Sequence, residues 1–157
     1  MKGQYWFYER KEGESEPVPL TLRSLMTPDP ITLFPDQLVR DAMALMAKNR
    51  FHHLPVVTPD NILAGIVSAK DILEKVTHGH GLNPEEQYHA TLDTLLPLSA
   101  VMSSKVHTLQ ADAPVAAAVE LFLIHDIHCV PIVEKNGALV GIVTETDMMH
   151  LLKHMVS

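Results

Sequence analysis

The feature that most constrains this chain is an internal repeat at a spacing of 76 residues. Residues 65–71 read GIVSAKD and residues 141–147 read GIVTETD, and the match extends so that 26–73 align with 102–149 without a gap. Identical pairs include Thr32 with Thr108, Leu33 with Leu109, Asp36 with Asp112, His52 with His128, Pro55 with Pro131, Gly65 with Gly141 and Asp71 with Asp147. The two copies are therefore expected to share one fold. A unit of about 50 residues buries too little apolar surface to be comfortable alone, so the second copy is expected to complete the first, sheet to sheet.

Each copy reads as β-α-β-β-α. A short strand around ITL (31–33) or VHTL (106–109) leads to Asp36 or Asp112, placed as a helix N-cap, and Pro114 falls in the first turn, where its missing N–H does little harm. Apolar residues then recur at helical spacing: Val39, Ala42, Met43 and Met46 in one copy, Val115, Ala118, Val119 and Phe122 in the other. The β-rich runs HLPVV and CVPIV are separated by the turn signals TPDN and EKNG from ILAGIV and ALVGIV. SAKDILEKV and TETDMMHLLKHM close the copies with a second helix. Between them, Asn83 as cap, Pro84 in the first turn and the acidic Glu85 and Glu86 near the positive helix end predict one connecting helix. The predicted organisation is an arm at 1–19, a first repeat at 20–77, a linker helix at 78–98 and a second repeat at 99–157, in an α+β class.

With 46% hydrophobic and 20% charged residues the chain should be globular. Its 12 Lys and Arg against 19 Asp and Glu leave a net charge of -7, which repels a polyphosphate backbone and argues against nucleic acid as a partner. The lone Cys129 cannot form an internal disulfide, and the first residues lack the apolar core of a signal peptide. The most apolar stretch is interrupted by Glu120, His125 and Asp126, so no membrane insertion is expected and the location is read as cytoplasmic. Ten histidines include the pairs His52 with His53, His78 with His80 and His125 with His128, but none has the converging ligands zinc requires, and no metal is expected. Cys129 lies in an apolar strand with no recognisable partner and reads as an inert core thiol. No nucleophile-and-base pairing or phosphate-binding glycine loop is present, so no catalytic residue is assigned and the chain is not read as an enzyme.

A hydrophobic-Pro-Val/Ile-Val strand followed by Gly-Ile-Val-Ser/Thr-x-x-Asp at the start of a helix occurs in both halves at matching spacing. This combination closely resembles the CBS domain, the module named for cystathionine β-synthase, and two in tandem resemble a Bateman module, over roughly residues 20 to 155. The resemblance implies two repeats related by a pseudo-two-fold axis, with two clefts that hold adenosine-containing ligands. It places ribose recognition on Ser68 and Asp71 and on Thr144 and Asp147. Adenine would lie against Ile31, Thr32, His53, Leu54 and Pro55 in one copy, and His107, Thr108, Cys129, Val130 and Pro131 in the other. Lys70, with Arg50 and Lys48 ending the helix that leads into that half, would meet a phosphate, whereas the second copy has Thr146, Asp126 and Ile124 at those places.

The function implied is a regulatory sensor of AMP, ADP, ATP, S-adenosylmethionine or NAD, with no required cofactor, signalling to a regulated protein that the sequence does not identify. Ser/Thr-x-x-Asp also reads as a capping box, although that box prefers Glu or Gln at its last position. The alternative is accordingly a structural dimerisation or interaction module with no nucleotide ligand. The helix APVAAAVELFLI is apolar on nearly every side, unlike DQLVRDAMALMAKNR, and family members dimerise through such helices, so a homodimer is expected. Met148, Met149 and Met155 add adaptable surface, and Tyr5, Trp6, Phe7 and Tyr8 form an aromatic cluster suited to packing on a partner.

Overall fold

Chain order and spatial order part company at the start of each repeat. The computed structural model describes residues 8–9, 18–77, 81–93 and 95–157. It divides into two units: one joins the stretch that ends at Pro30 to His107–Ser157, and the other is Ile31–Val106. The opening segment of each sequence repeat thus belongs in space with the body of the other copy, a division that the repeat boundaries at 20–77 and 99–157 do not follow.

In chain order the elements are β1 (Tyr8–Glu9), β2 (Val18–Pro19), α1 (Leu22–Leu25), β3 (Thr27–Pro28), α2 (Val39–Asn49), β4 (His53–Val57), β5 (Leu63–Ser68), α3 (Ala69–Thr77), α4 (Pro84–Asp93), a 3-10 turn at Leu98–Ala100, α5 (Val115–His125), β6 (Cys129–Val133), β7 (Leu139–Thr144) and α6 (Glu145–Val156). β1 and β2 pair antiparallel through Tyr8 with Pro19. Tyr5, Trp6 and Phe7 lie outside the described residues.

The β-α-β-β-α reading holds with one shortening. Residues 31–33 and 107–109 contribute only a single parallel bridge each, Leu33 to Val56 and Leu109 to Ile132, instead of a full strand. β4 and β5 then pair antiparallel, as do β6 and β7, with His53 opposite Ser68 and Cys129 opposite Thr144. The predicted helical stripes are buried at Val39, Ala42, Met43 and Met46 and at Val115, Ala118 and Phe122. Both helices end on a left-handed residue, Arg50 (φ 56°) and Asp126 (φ 51°).

The helix starts correct the sequence reading. Asp36 and Asp112 are not N-caps: α2 follows Leu38 and α5 follows Pro114, which is itself the N-cap residue. The first amide of each helix is satisfied by a distant carbonyl instead, Val39 N donating to Leu96 O and Val115 N to Leu20 O, both at 2.9 Å. With that orphan donor already paired, a side-chain cap has less to do. The Asp112 carboxylate accepts from Arg23 at 2.9 Å.

Leu20 and Leu96 occupy equivalent places in the repeat, so this exchange is reciprocal. Leu22 is fully buried in the core with Val115, Phe122, Val130, Ile132 and Val143, and Leu98, its repeat mate, in the core with Val39, Leu54, Val56, Val67 and Ile72. The connecting helix forms as its residues dictate. Asn83 Oδ1 accepts from the amides of Glu85 and Glu86 at 3.0 Å, and Glu86 Oε2 accepts from Asn83 N at 2.9 Å. This α4 packs on α2 and α3.

Candidate functional site

All the residues singled out in the first copy lie in the Ile31–Val106 unit, and all those in the second copy lie in the unit containing His107–Ser157. Within each, strand register does the positioning. Pairing of β4 with β5 sets His53 opposite Ser68, Leu54 opposite Val67 and Pro55 opposite Ile66. Leu33 N donates to Pro55 O at 3.2 Å and Val57 N to Leu33 O at 2.9 Å, which fixes Leu33, directly after Ile31 and Thr32, against β4. The second copy repeats this with Cys129 opposite Thr144, Val130 opposite Val143, and Leu109 bonded to Pro131 and Val133. Each edge therefore gathers an apolar strand, a hydroxyl at the end of β5 or β7, and a carboxylate one turn into the next helix.

The hydroxyl and carboxylate behave differently in the two copies. In the second, Asp147 Oδ2 accepts from Thr144 N at 2.7 Å and from Thr144 Oγ1 at 2.9 Å, while Thr144 Oγ1 accepts from Asp147 N at 3.4 Å. That is a complete capping box with aspartate in place of the usual glutamate. In the first, Ser68 Oγ accepts from Asp71 N at 3.0 Å, and the Asp71 carboxylate makes no hydrogen bond or ion pair with a described residue. The capping reading is thus realised fully at Thr144–Asp147 and by half at Ser68–Asp71.

Charge also differs. The first turn of α3 carries Lys70 beside Asp71, whereas that of α6 carries Glu145 and Asp147. Lys70 is 82% exposed and touches Glu74 only at 3.8 Å, a contact too open to hold it. Glu145 pairs with His128 Nδ1 at 2.8 Å, and His107 stacks on His125 with ring centroids 4.0 Å apart. Neither of these second-copy contacts was read from the sequence. The signal for them was present, since Glu145 stands where the first copy has Ala69, and His107 and His125 where it has Ile31 and Asn49.

Cys129 is buried, and that burial, with the negative charge of Asp147 added, pushes its thiol from 9.0 up to about 12. It stays protonated and cannot act as a nucleophile near neutral pH. Among the described residues no group of three or more His, Cys, Asp or Glu is placed to hold a metal ion; His78 and His80 lie outside them. Nor, among them, is any helix long and apolar enough to cross a membrane.

The family model of the CBS domain matches residues 22–78 and 98–154. The chain belongs to the CBS domain family. Its two CBS repeats are similar to the MJ1426 protein of Methanocaldococcus jannaschii, 30% identical over 144 residues that cover 78% of this chain and 86% of that one. The chain spans only 45% of the length of a second relative from that organism, MJ1225, and 15% of an A-adding tRNA nucleotidyltransferase of Aquifex aeolicus. Among solved structures, the CBS domain pair of protein MJ0100 in complex with 5'-methylthioadenosine and S-adenosyl-L-methionine has a TM-score of 0.69 at 23% identity, covering 85% of this chain and 96% of that one. CBSX2 in complex with AMP has a TM-score of 0.70 at 22% identity, covering 87% and 98%. These likenesses establish the mixed helix-and-sheet architecture of tandem CBS repeats.

Proposed function

We propose that this chain is a regulatory sensor whose CBS repeats bind adenosine-containing small molecules and pass their occupancy to a partner protein, without catalysing a reaction. The observation that carries this reading is the Asp71 carboxylate, to which no described residue is bonded, one turn past Ser68, the residue paired with His53. An ionised carboxylate can accept from two vicinal hydroxyls, and such charge-assisted bonds contribute about 1.5 to 3 kcal/mol each. Complexes of the similar proteins with AMP, 5'-methylthioadenosine and S-adenosylmethionine support the ligand class.

The first edge, with the exposed Lys70, suits a phosphorylated adenosine. The second, with Glu145 and Asp147 in one helical turn, repels phosphate and suits an uncharged or cationic adenosyl group. Binding shifts the population between two arrangements of the module, and the signal can be no larger than the ligand's differential affinity for them. The signalling form is a homodimer through the apolar helix faces. We place it in the cytoplasm, the kind of compartment that keeps a lone thiol such as Cys129 reduced.

The test is melting temperature in the presence of AMP, ADP, ATP, S-adenosylmethionine or NAD. A ligand at 100 times its Kd adds about 2.7 kcal/mol, which is several degrees for a domain of this size. No shift with any of them at millimolar concentration overturns the reading. A structural dimerisation module is then favoured by the capping box at Thr144–Asp147, which is complete without a ligand.

A further inference from the structure

The chain passes between its two units at Pro30–Ile31 and again at Val106–His107, and both crossings are built alike. Ahead of the second, Ser103 exchanges both backbone bonds with Ile66, Ile66 N donating to Ser103 O at 3.0 Å and Ser103 N to Ile66 O at 2.9 Å. Two residues beyond Ile66 comes Ser68, the hydroxyl of the first edge; four residues beyond Ser103 comes His107, then Thr108, the adenine side of the second edge. Ahead of the first crossing, Thr27 pairs with Ile142 and Pro28 with Gly141, and Asp29 N donates to Val140 O at 3.3 Å. Two residues beyond Ile142 comes Thr144; four beyond Thr27 comes Ile31, then Thr32. The strand that delivers the hydroxyl and carboxylate of one edge is thus hydrogen-bonded to the stretch that becomes the adenine side of the other.

These contacts have no slack. A Cβ on Gly65 would stand 2.8 Å from Ser103 O and 2.9 Å from Met102 Sδ, and one on Gly141 would stand 2.5 Å from Met26 Sδ and 3.1 Å from Thr27 O. The repeated phrase needs its glycine because the crossing segment lies directly on the strand. A shift of either strand therefore acts first on Ser103 or Thr27, the residues bonded to it.

We propose that the two crossings couple the two edges, so that a ligand on one edge changes affinity at the other through the backbone pairing at Ser103 and at Thr27. This rests on the ligand-binding reading above. By linkage the coupling is reciprocal, and couplings of this kind are typically about 5-fold to 150-fold.

Amide hydrogen exchange on the full chain carrying Asp147→Ala, with and without AMP, tests it, because only the first edge then keeps its carboxylate. Asp147→Asn replaces that variant if the alanine form does not fold, since the amide oxygen still accepts from Thr144 N. The expected result is slowed exchange at 52–57 and 66–71 together with a change of about 5-fold or more at 107–110. Ser103→Pro, which removes the donor to Ile66 O and no residue of either edge, should leave the first response and abolish the second. Protection confined to the first edge, or persisting at 107–110 in folded Ser103→Pro, overturns the coupling while leaving binding intact. Protection nowhere overturns the binding reading itself, and the coupling with it. Should Ser103→Pro not fold, the first comparison alone decides.

Discussion

A methyl group on Gly65 would stand 2.8 Å from the carbonyl oxygen of Ser103, closer than real Cβ atoms come to a backbone oxygen. At Gly141 the nearest obstacle is the sulfur of Met26, the far end of a flexible side chain, with the Thr27 carbonyl at 3.1 Å. Both alanine substitutions overpack a strand contact, at a cost of about 1 to 3 kcal/mol. Gly65→Ala should cost more, because a backbone carbonyl that accepts from Ile66 N, in a residue whose own N–H donates back to Ile66 O, cannot swing aside as a thioether can. Urea unfolding midpoints of the two variants measure this, and an equal or smaller loss at Gly65 contradicts it.

Asp71→Ala and Asp147→Ala should part in the opposite sense from what their identical motif positions suggest. The interaction with the positive helix end is common to both. Asp147 alone accepts from the backbone and hydroxyl of Thr144, so its loss should lower stability by about 1 kcal/mol. Asp71 accepts nothing from a described residue, so its loss should change stability by less than about 0.5 kcal/mol while AMP no longer raises the melting temperature. Parallel thermal melts of the two variants with and without AMP separate these outcomes.

What was legible in the sequence was what is local or periodic. Asn83, Pro84 and Glu86 specify a helix start within four residues, and the stripe of Val39, Ala42, Met43 and Met46 specifies a buried face within two turns. The candidate edges were legible because the phrase containing Ser68 and Asp71 recurs as Thr144 and Asp147. What was not legible depends on partners far along the chain. Asp36 and Asp112 have the residue type of a cap, but the acceptors for Val39 N and Val115 N are Leu96 and Leu20, 57 and 95 positions from the amides they satisfy. For the same reason the pairing of Thr27 with Ile142 and of Ser103 with Ile66 left no local pattern, and only the close packing at Gly65 and Gly141 hints at it.

The Cys129 thiol should make stability fall in alkaline solution. Burial and the Asp147 charge hold its folded value near 12 against an ordinary 9.0. A raised folded value means the contribution is fully present below pH 9 and is lost as pH climbs from there toward 12, since the unfolded chain ionises first. By pH 10 the loss from this group amounts to about 1 kcal/mol. Cys129→Ala should be less stable than the parent at pH 7 and should lack this component of the alkaline fall. Denaturant midpoints of both proteins at pH 7 and pH 10 give the comparison; identical alkaline slopes would contradict it.

The outer face of α5 bears the expectation of a dimer. Leu123 is 80% exposed and Ile124 71%, and on α6 Met149 and Val156 are 64% and 68% exposed. The matching places on α2 hold Ala47 and Lys48, so the repeat tolerates small and charged residues there without loss of fold. Leucine and isoleucine at such positions are worth about 1.5 to 3 kcal/mol each once covered, and a symmetric interface counts them on both protomers. Leu123→Ala with Ile124→Lys installs the first copy's residues in the second. Sedimentation at micromolar concentration should find the parent dimeric and the double variant monomeric, with the melting profile of the variant independent of concentration. A monomeric parent would remove the dimer from the proposed mechanism, and a dimeric variant would move the interface to another face.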